Sequence, residues 1–206
     1  MPGSTYVVLL PVKPPARGKS RLDVDPGRRR ALAAAFALDT ARACLAAEQV
    51  IAVLGVTDDA RFADDLRAAG CDTIPDGVAD DLNGSLRLAA AEVRRRWPTA
   101  RPAAVCADLP SLHPADLDQA LITAGTATTP AFVADVEGVG TTLYTAPYDT
   151  FSPQFGPGSA QAHLDAGSRE IEGPLASLRR DVDDAEGLAA ATGLGLGAHT
   201  RLALLA

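Results

Sequence analysis

The sequence predicts an α/β sandwich of three layers around a mostly parallel sheet, and two observations predict it. Three apolar runs, residues 6–12 (YVVLLPV), 50–56 (VIAVLGV) and 102–107 (PAAVCA), never alternate polar with apolar positions. A strand with one wet face does alternate, so these runs read as strands buried on both faces. Helical stretches lie between them, and strand–helix alternation is the pattern of a parallel sheet with right-handed crossovers.

The elements follow in order. Residues 26–47 are rich in Ala, Leu and Arg, with Pro26 at the start, where a missing N–H costs little. Residues 58–69 open on two aspartates, which favour a helix N-terminus, and end at Gly70. Residues 82–96 form a third helix that stops before Pro98, and residues 113–124 a fourth that begins beside Pro114. Short strands are expected at 131–135 and 141–145, around the turn from Gly138 to Gly140. A glycine-rich bend at 155–159 leads into a short helix over 160–166, and a last strand-like piece, 178–182, runs into Asp183, Asp184 and a C-terminal helical region. No repeat and no linker divides the chain, so residues 1–206 are expected to form a single domain.

Composition narrows the function. With 47% apolar and 22% charged residues the chain is globular rather than disordered. A net charge of −7 and a pI near 4.9 speak against a nucleic-acid partner, which needs a basic face. The N-terminus lacks the order of a signal peptide and no apolar run is long enough to span a membrane. Cys44, Cys71 and Cys106 are odd in number, widely spaced and without metal-ligand spacing, which fits a reducing, cytoplasmic compartment. An acidic protein can still bind a nucleotide where positive charge is placed locally or a metal ion bridges the two.

In parallel sheets ligands bind beyond the carboxyl ends of the strands. After the first strand comes KPPARGKSR, residues 13–21. It is not a Walker A loop, because Lys13 stands where the pattern needs glycine. Yet Lys13 and Lys19 are the only lysines, against seventeen arginines. Lysine is a compact point charge suited to a phosphate tail, and a solvated basic loop is the plainer alternative. Asp108 directly follows the third strand, where a carboxylate is costly to bury unless paired or bound to a cation such as Mg²⁺. As a helix cap Ser111 is better placed.

Asp181 and Asp183, two apart in an extended chain, share a face and can clamp a cation; with Asp184 they can equally cap the following helix. In FGPGSAQAH, residues 155–163, Gly156 and Gly158 free the backbone and Ser159 precedes a helix, giving either an anion nest or a capped turn. Asn83, Gly84 and Ser85 open the third helix as a cap or as a contact to a base or ribose. His113, His163 and His199 have no partner at catalytic spacing, so no nucleophile–base pair is expected.

These motifs, VKPPARGKSRL, LNGSL, ADLPSL, GTTLYTA, FGPGSAQAH and LRRDVDDAEGL, occur in one order over nearly the whole chain. Together they resemble the guanylyltransferases of deazaflavin coenzyme biosynthesis, which act on phosphoenolpyruvate or 2-phospho-L-lactate and are relatives of the molybdenum-cofactor nucleotidyltransferases. The resemblance implies a Rossmann-like nucleotidyltransferase fold of the GT-A-like kind, with GTP as co-substrate and Mg²⁺ as cofactor. It implies that Lys19, with Lys13, holds the GTP phosphates and that Asn83 and Gly84 lie near the nucleoside. Asp108, Asp181 and Asp183 become the metal-side carboxylates, Lys19 and Asp108 the catalytic pair, and Thr141, Gly156 and Ser159 the holders of the acceptor's carboxylate and phosphate. The chain departs from the family pattern at Asp81, where glycine is common, and at Asp184, where a small residue such as threonine is common. The Ala- and Arg-rich composition is that of a GC-rich bacterial genome, and bacterial members resemble phosphoenolpyruvate users, so that acceptor is preferred over phospholactate. Another nucleotidyltransferase of the same fold is the remaining alternative, and a homodimer is compatible with the reading.

Overall fold

The computed structural model of the chain describes residues 5–12, 24–78 and 80–205. Its framework is one seven-stranded sheet: β1 (Tyr6–Pro11), β2 (Val50–Val56), β3 (Asp72–Ile74), β4 (Arg101–Val105), β5 (Ala131–Ala134), β6 (Thr141–Thr145) and β7 (Arg169–Glu170), in the spatial order β3-β2-β1-β4-β6-β5-β7. The pairs β1–β2, β2–β3, β1–β4 and β5–β7 are parallel, while β6 runs antiparallel to both neighbours. Only β6 is reversed, so the sheet is mostly parallel, as expected. The reversal has a use: it brings the start of β6 to the end of β4.

Eight helices accompany the sheet among the described residues: α1 (Pro26–Ala46), α2 (Ala60–Ala68), α3 (Leu82–Arg96), α4 (Pro114–Gly125), α5 (Ser159–Asp165), α6 (Ala176–Arg179), α7 (Ala185–Leu194) and α8 (Ala198–Leu205). The two faces of the sheet carry separate cores. Tyr6, Val8 and Leu10 of β1 pack with residues of α1, α2 and α4, while Val7 and Leu9 pack with Leu86, Ala89 and Val93 of α3. Alternate side chains entering opposite cores explain why the strand runs are apolar throughout. A third cluster, Leu32, Phe36, Val182, Ala191 and Leu196, seats the C-terminal helices against α1.

Three expectations are corrected. Residues 178–182 do not form a strand: Leu178 ends up in the short helix α6, and irregular backbone follows to Asp184. Two strands, β3 and β7, have three and two residues, too few for any periodicity to declare them. Ser111 does not cap α4. His113 holds that position without a side-chain cap bond, and its N–H is received instead by Ser177 Oγ at 2.9 Å.

Candidate active site

Asp108 lies just past the end of β4, on the carboxyl side of the parallel strands. Its backbone carbonyl accepts the N–H of Val182 at 3.0 Å, which fastens the segment after α6 beside it. Val182 is fully buried, and the residues on either side of it are the two aspartates. One carboxylate oxygen from each of Asp108, Asp181 and Asp183 comes within 4.8 Å of the other two. Among the described residues no other trio of His, Cys, Asp or Glu converges in this way. Asp108 and Asp181 are half-buried and Asp183 is exposed. Three like charges in so small a span repel one another, and a divalent cation offsets them. Hard oxygen donors with an exposed side left for water and phosphate suit such an ion. Asp184, next in sequence, has the other role foreseen for the cluster. It caps α7 by accepting the Gly187 N–H at 2.8 Å.

An open cleft of about 460 Å³ extends from Asp181 and Asp183 past Asp135, Glu137, Val139 and Arg180. The Arg180 guanidinium is 3.9 Å from the Glu137 carboxylate and is the one cation among the described residues on this acidic rim. Asp135 shapes the turn between β5 and β6: its carboxylate accepts the N–H groups of Val139 and Gly140 at 2.9 and 2.7 Å. A Cβ on Gly140 would collide with that carboxylate, so glycine is required there. The turn delivers Thr141, the first residue of β6, beside Cys106, whose Sγ donates to the Thr141 carbonyl at 3.2 Å.

The glycine-rich bend meets the same region. Gly156 and Gly158 have φ of 145° and 69°, conformations that favour glycine. Gly158 stands at the cap position of α5 and Ser159 is the first helical residue, so the serine is not a cap. Asn83 locks the bend from the opposite side. Its amide donates to the Phe155 carbonyl at 2.9 Å and receives the Phe155 N–H at 2.8 Å. Beside it, Asp81 caps α3 through the Gly84 N–H at 2.8 Å, and a Cβ on Gly84 would collide with that carboxylate. The departure from the family pattern at Asp81 thus has a local structural reason. Lys13 and Lys19 lie outside the described residues.

One histidine, expected from the sequence to have no partner at catalytic spacing, stands beside a predicted site residue. His163 is fully buried, with Nδ1 3.0 Å from Thr141 Oγ1 and Nε2 accepting the Gln154 N–H at 2.9 Å. The spacing from Ser159 was the available signal, since residues four apart on a helix share a face. Of the other histidines, His199 pairs with Asp39 at 3.0 Å and His113 Nε2 lies 3.3 Å from the Leu194 carbonyl. The thiols offer no nucleophile at Cys44 and Cys71: burial pushes Cys71 up to about 11 and Cys44 higher still.

A mostly parallel sheet with carboxylates converging beyond its strand ends is an α/β arrangement suited to binding a phosphorylated ligand with a cation. The chain superposes on 4-diphosphocytidyl-2C-methyl-D-erythritol synthase with a TM-score of 0.64 and 13% identity, over 93% of this chain and 99% of that one. No family model matches. In sequence the chain is 48% identical to the phosphoenolpyruvate guanylyltransferase of Thermomonospora curvata, over 95% of this chain and 87% of that protein. It is 44% identical to the enzyme of the same name from Streptomyces scabiei, over 96% and 95%. The chain belongs to the phosphoenolpyruvate guanylyltransferase family.

Proposed function

We propose that the protein transfers GMP from GTP to phosphoenolpyruvate in the cytoplasm, giving enolpyruvoyl-diphospho-guanosine and pyrophosphate as a step toward the deazaflavin coenzyme. The observation that carries the reading is the convergence of Asp108, Asp181 and Asp183 beyond β4, in a chain of this family. A phosphate oxygen of the acceptor attacks the α-phosphorus of GTP, the bond to the β-phosphate breaks, and pyrophosphate leaves. The acceptor oxygen is already ionised at neutral pH, so no general base is needed. What remains for the protein is to align two anions and offset their charge.

Asp108, Asp181 and Asp183 would hold Mg²⁺, which when bound supplies Lewis-acid polarisation of phosphoryl oxygens. Lys13 and Lys19 receive the GTP phosphates in this reading, with Asn83 and Gly84 on the nucleoside side. The Asn83 amide already holds Phe155 at both ends, so its main service is to fix the bend that faces the nucleotide. Thr141, Gly156 and Ser159 take the acceptor's carboxylate and phosphate. Free Cys44, Cys71 and Cys106 fit a reducing compartment.

Pyrophosphate release, assayed over four nucleoside triphosphates and two acceptors with Mg²⁺, tests the proposal. GTP with phosphoenolpyruvate should be the best pair and 2-phospho-L-lactate a poorer acceptor. A preference for CTP would remove the guanylyl part, and no turnover with any pair would remove the activity.

A further inference from the structure

The Thr141–His163 contact carries more than packing. Gln154 donates its N–H to His163 Nε2, so that nitrogen bears no hydrogen. A neutral imidazole has a single N–H, which therefore sits on Nδ1, facing Thr141 Oγ1 at 3.0 Å. A hydroxyl cannot donate to a nitrogen that already carries a hydrogen. Thr141 accepts there, and its own hydrogen is left for another group; among the described residues it has no other side-chain partner.

The ring has little freedom to choose otherwise. It is fully buried, stacked on Tyr144 at 4.6 Å and 20° and on Phe132 at 5.3 Å and 24°, with Phe155 edge-on at 5.7 Å. A ring flip would lose both hydrogen bonds inside an aromatic box, where an unpaired polar group is costly. Burial also holds the ring's pKa down at about 4, so it stays neutral at neutral pH.

We propose that His163 is a positioning residue for the acceptor: it turns the Thr141 hydroxyl into an obligatory hydrogen-bond donor. A donor of fixed direction suits an anionic carboxylate or phosphate and discriminates against a neutral acceptor. The proposal rests on Thr141 being an acceptor contact, and its test separates the two ideas.

KM values for phosphoenolpyruvate and GTP are measured for Thr141→Val, His163→Phe, the double variant and His163→Asn, with folding checked by thermal melting. Thr141→Val and His163→Phe should each raise KM for phosphoenolpyruvate roughly tenfold or more while leaving KM for GTP within about twofold. The double variant should be no worse than Thr141→Val, because both remove one interaction. His163→Asn keeps one acceptor and one donor and should recover most of the loss. If Thr141→Val leaves KM for phosphoenolpyruvate unchanged, the acceptor reading itself fails. If Thr141→Val weakens the acceptor but folded His163→Phe does not, or if their effects multiply, the positioning role alone is overturned. Proton–nitrogen correlation spectra of the histidine ring add a readout independent of turnover and of the stability of any variant. A neutral Nδ1–H tautomer at pH 7 is expected, and an Nε2–H tautomer overturns the proposal.

Discussion

In the proposed reading Asp108 and His163 act in two different ways. Asp108 joins its carboxylate to those of Asp181 and Asp183, one oxygen from each lying within 4.8 Å of the others. Asp108→Asn removes one of these three charges without changing shape. It should abolish any rise in melting temperature on adding Mg²⁺ or Mn²⁺ and lower kcat roughly a hundredfold or more. Thermal melting with and without metal, beside a turnover assay, checks this; normal activity would refute the metal role of Asp108. His163 acts through protons rather than charge. In the folded chain it stays neutral down to about pH 4, whereas unfolded it takes a proton near 6.5. Between those values the unfolded state binds more protons, so stability rises with increasing pH across that window and is lost as pH drops from about 6.5 to about 4, by up to about 3 kcal/mol in total. His163→Asn should flatten this part of the urea midpoint's pH dependence, and an unchanged slope would show that the ring titrates normally.

Among the elements, the C-terminal helix α8 shows how far apart in sequence a local rule can be satisfied. Its start is capped from α1: the buried Asp39 carboxylate accepts the N–H groups of His199 at 3.0 Å and Thr200 at 2.8 Å, and His199 Nδ1 adds a third contact at 3.0 Å. Gly197 is needed because a Cβ there would collide with Asp39. Asp39→Ala should therefore cost about 2 kcal/mol of stability, since it strands helix N–H groups in a buried setting. Urea unfolding measures this directly, and a loss below about 0.5 kcal/mol would show that α8 is anchored by other contacts. Capping rules applied along the sequence could not reach this pair, which is separated by 160 positions. They worked at α7, which Asp184 does cap, and missed at α3, where Asp81 holds the cap position rather than Asn83, Gly84 or Ser85. The strand expected at 178–182 rested on apolar character instead: Leu178 and Val182 are both buried, but the first lies in α6 and the backbone after it is irregular. Among the described contacts, the backbone hydrogen bond from Val182 to Asp108 and the burial of Val182 beside Leu32 and Phe36 bring Asp181 and Asp183 to Asp108.

For the molecule as a whole, the sequence patterns that were legible are those set by burial on both faces of a sheet. They yielded β1, β2, β4 and the parallel core, and with it the rule that ligands collect beyond the strand ends. Asp108 followed from that rule alone. The glycine turn at 138–140 hints that β6 runs back along β5, but the pairing of β6 with β4, which sets Thr141 against the end of β4, leaves no local trace. The His163 box escaped for the same reason: Phe132, Tyr144, Phe155 and His163 come from four elements, and only the folded chain stacks them. The central claim, guanylyl transfer to phosphoenolpyruvate at this site, is most directly tested by phosphorus NMR of the protein with GTP, phosphoenolpyruvate and Mg²⁺. The account predicts loss of the phosphoenolpyruvate monoester signal, with pyrophosphate and a new diphosphate ester growing in equal amounts. Hydrolysis of GTP with phosphoenolpyruvate left intact, or no change at all, would contradict it.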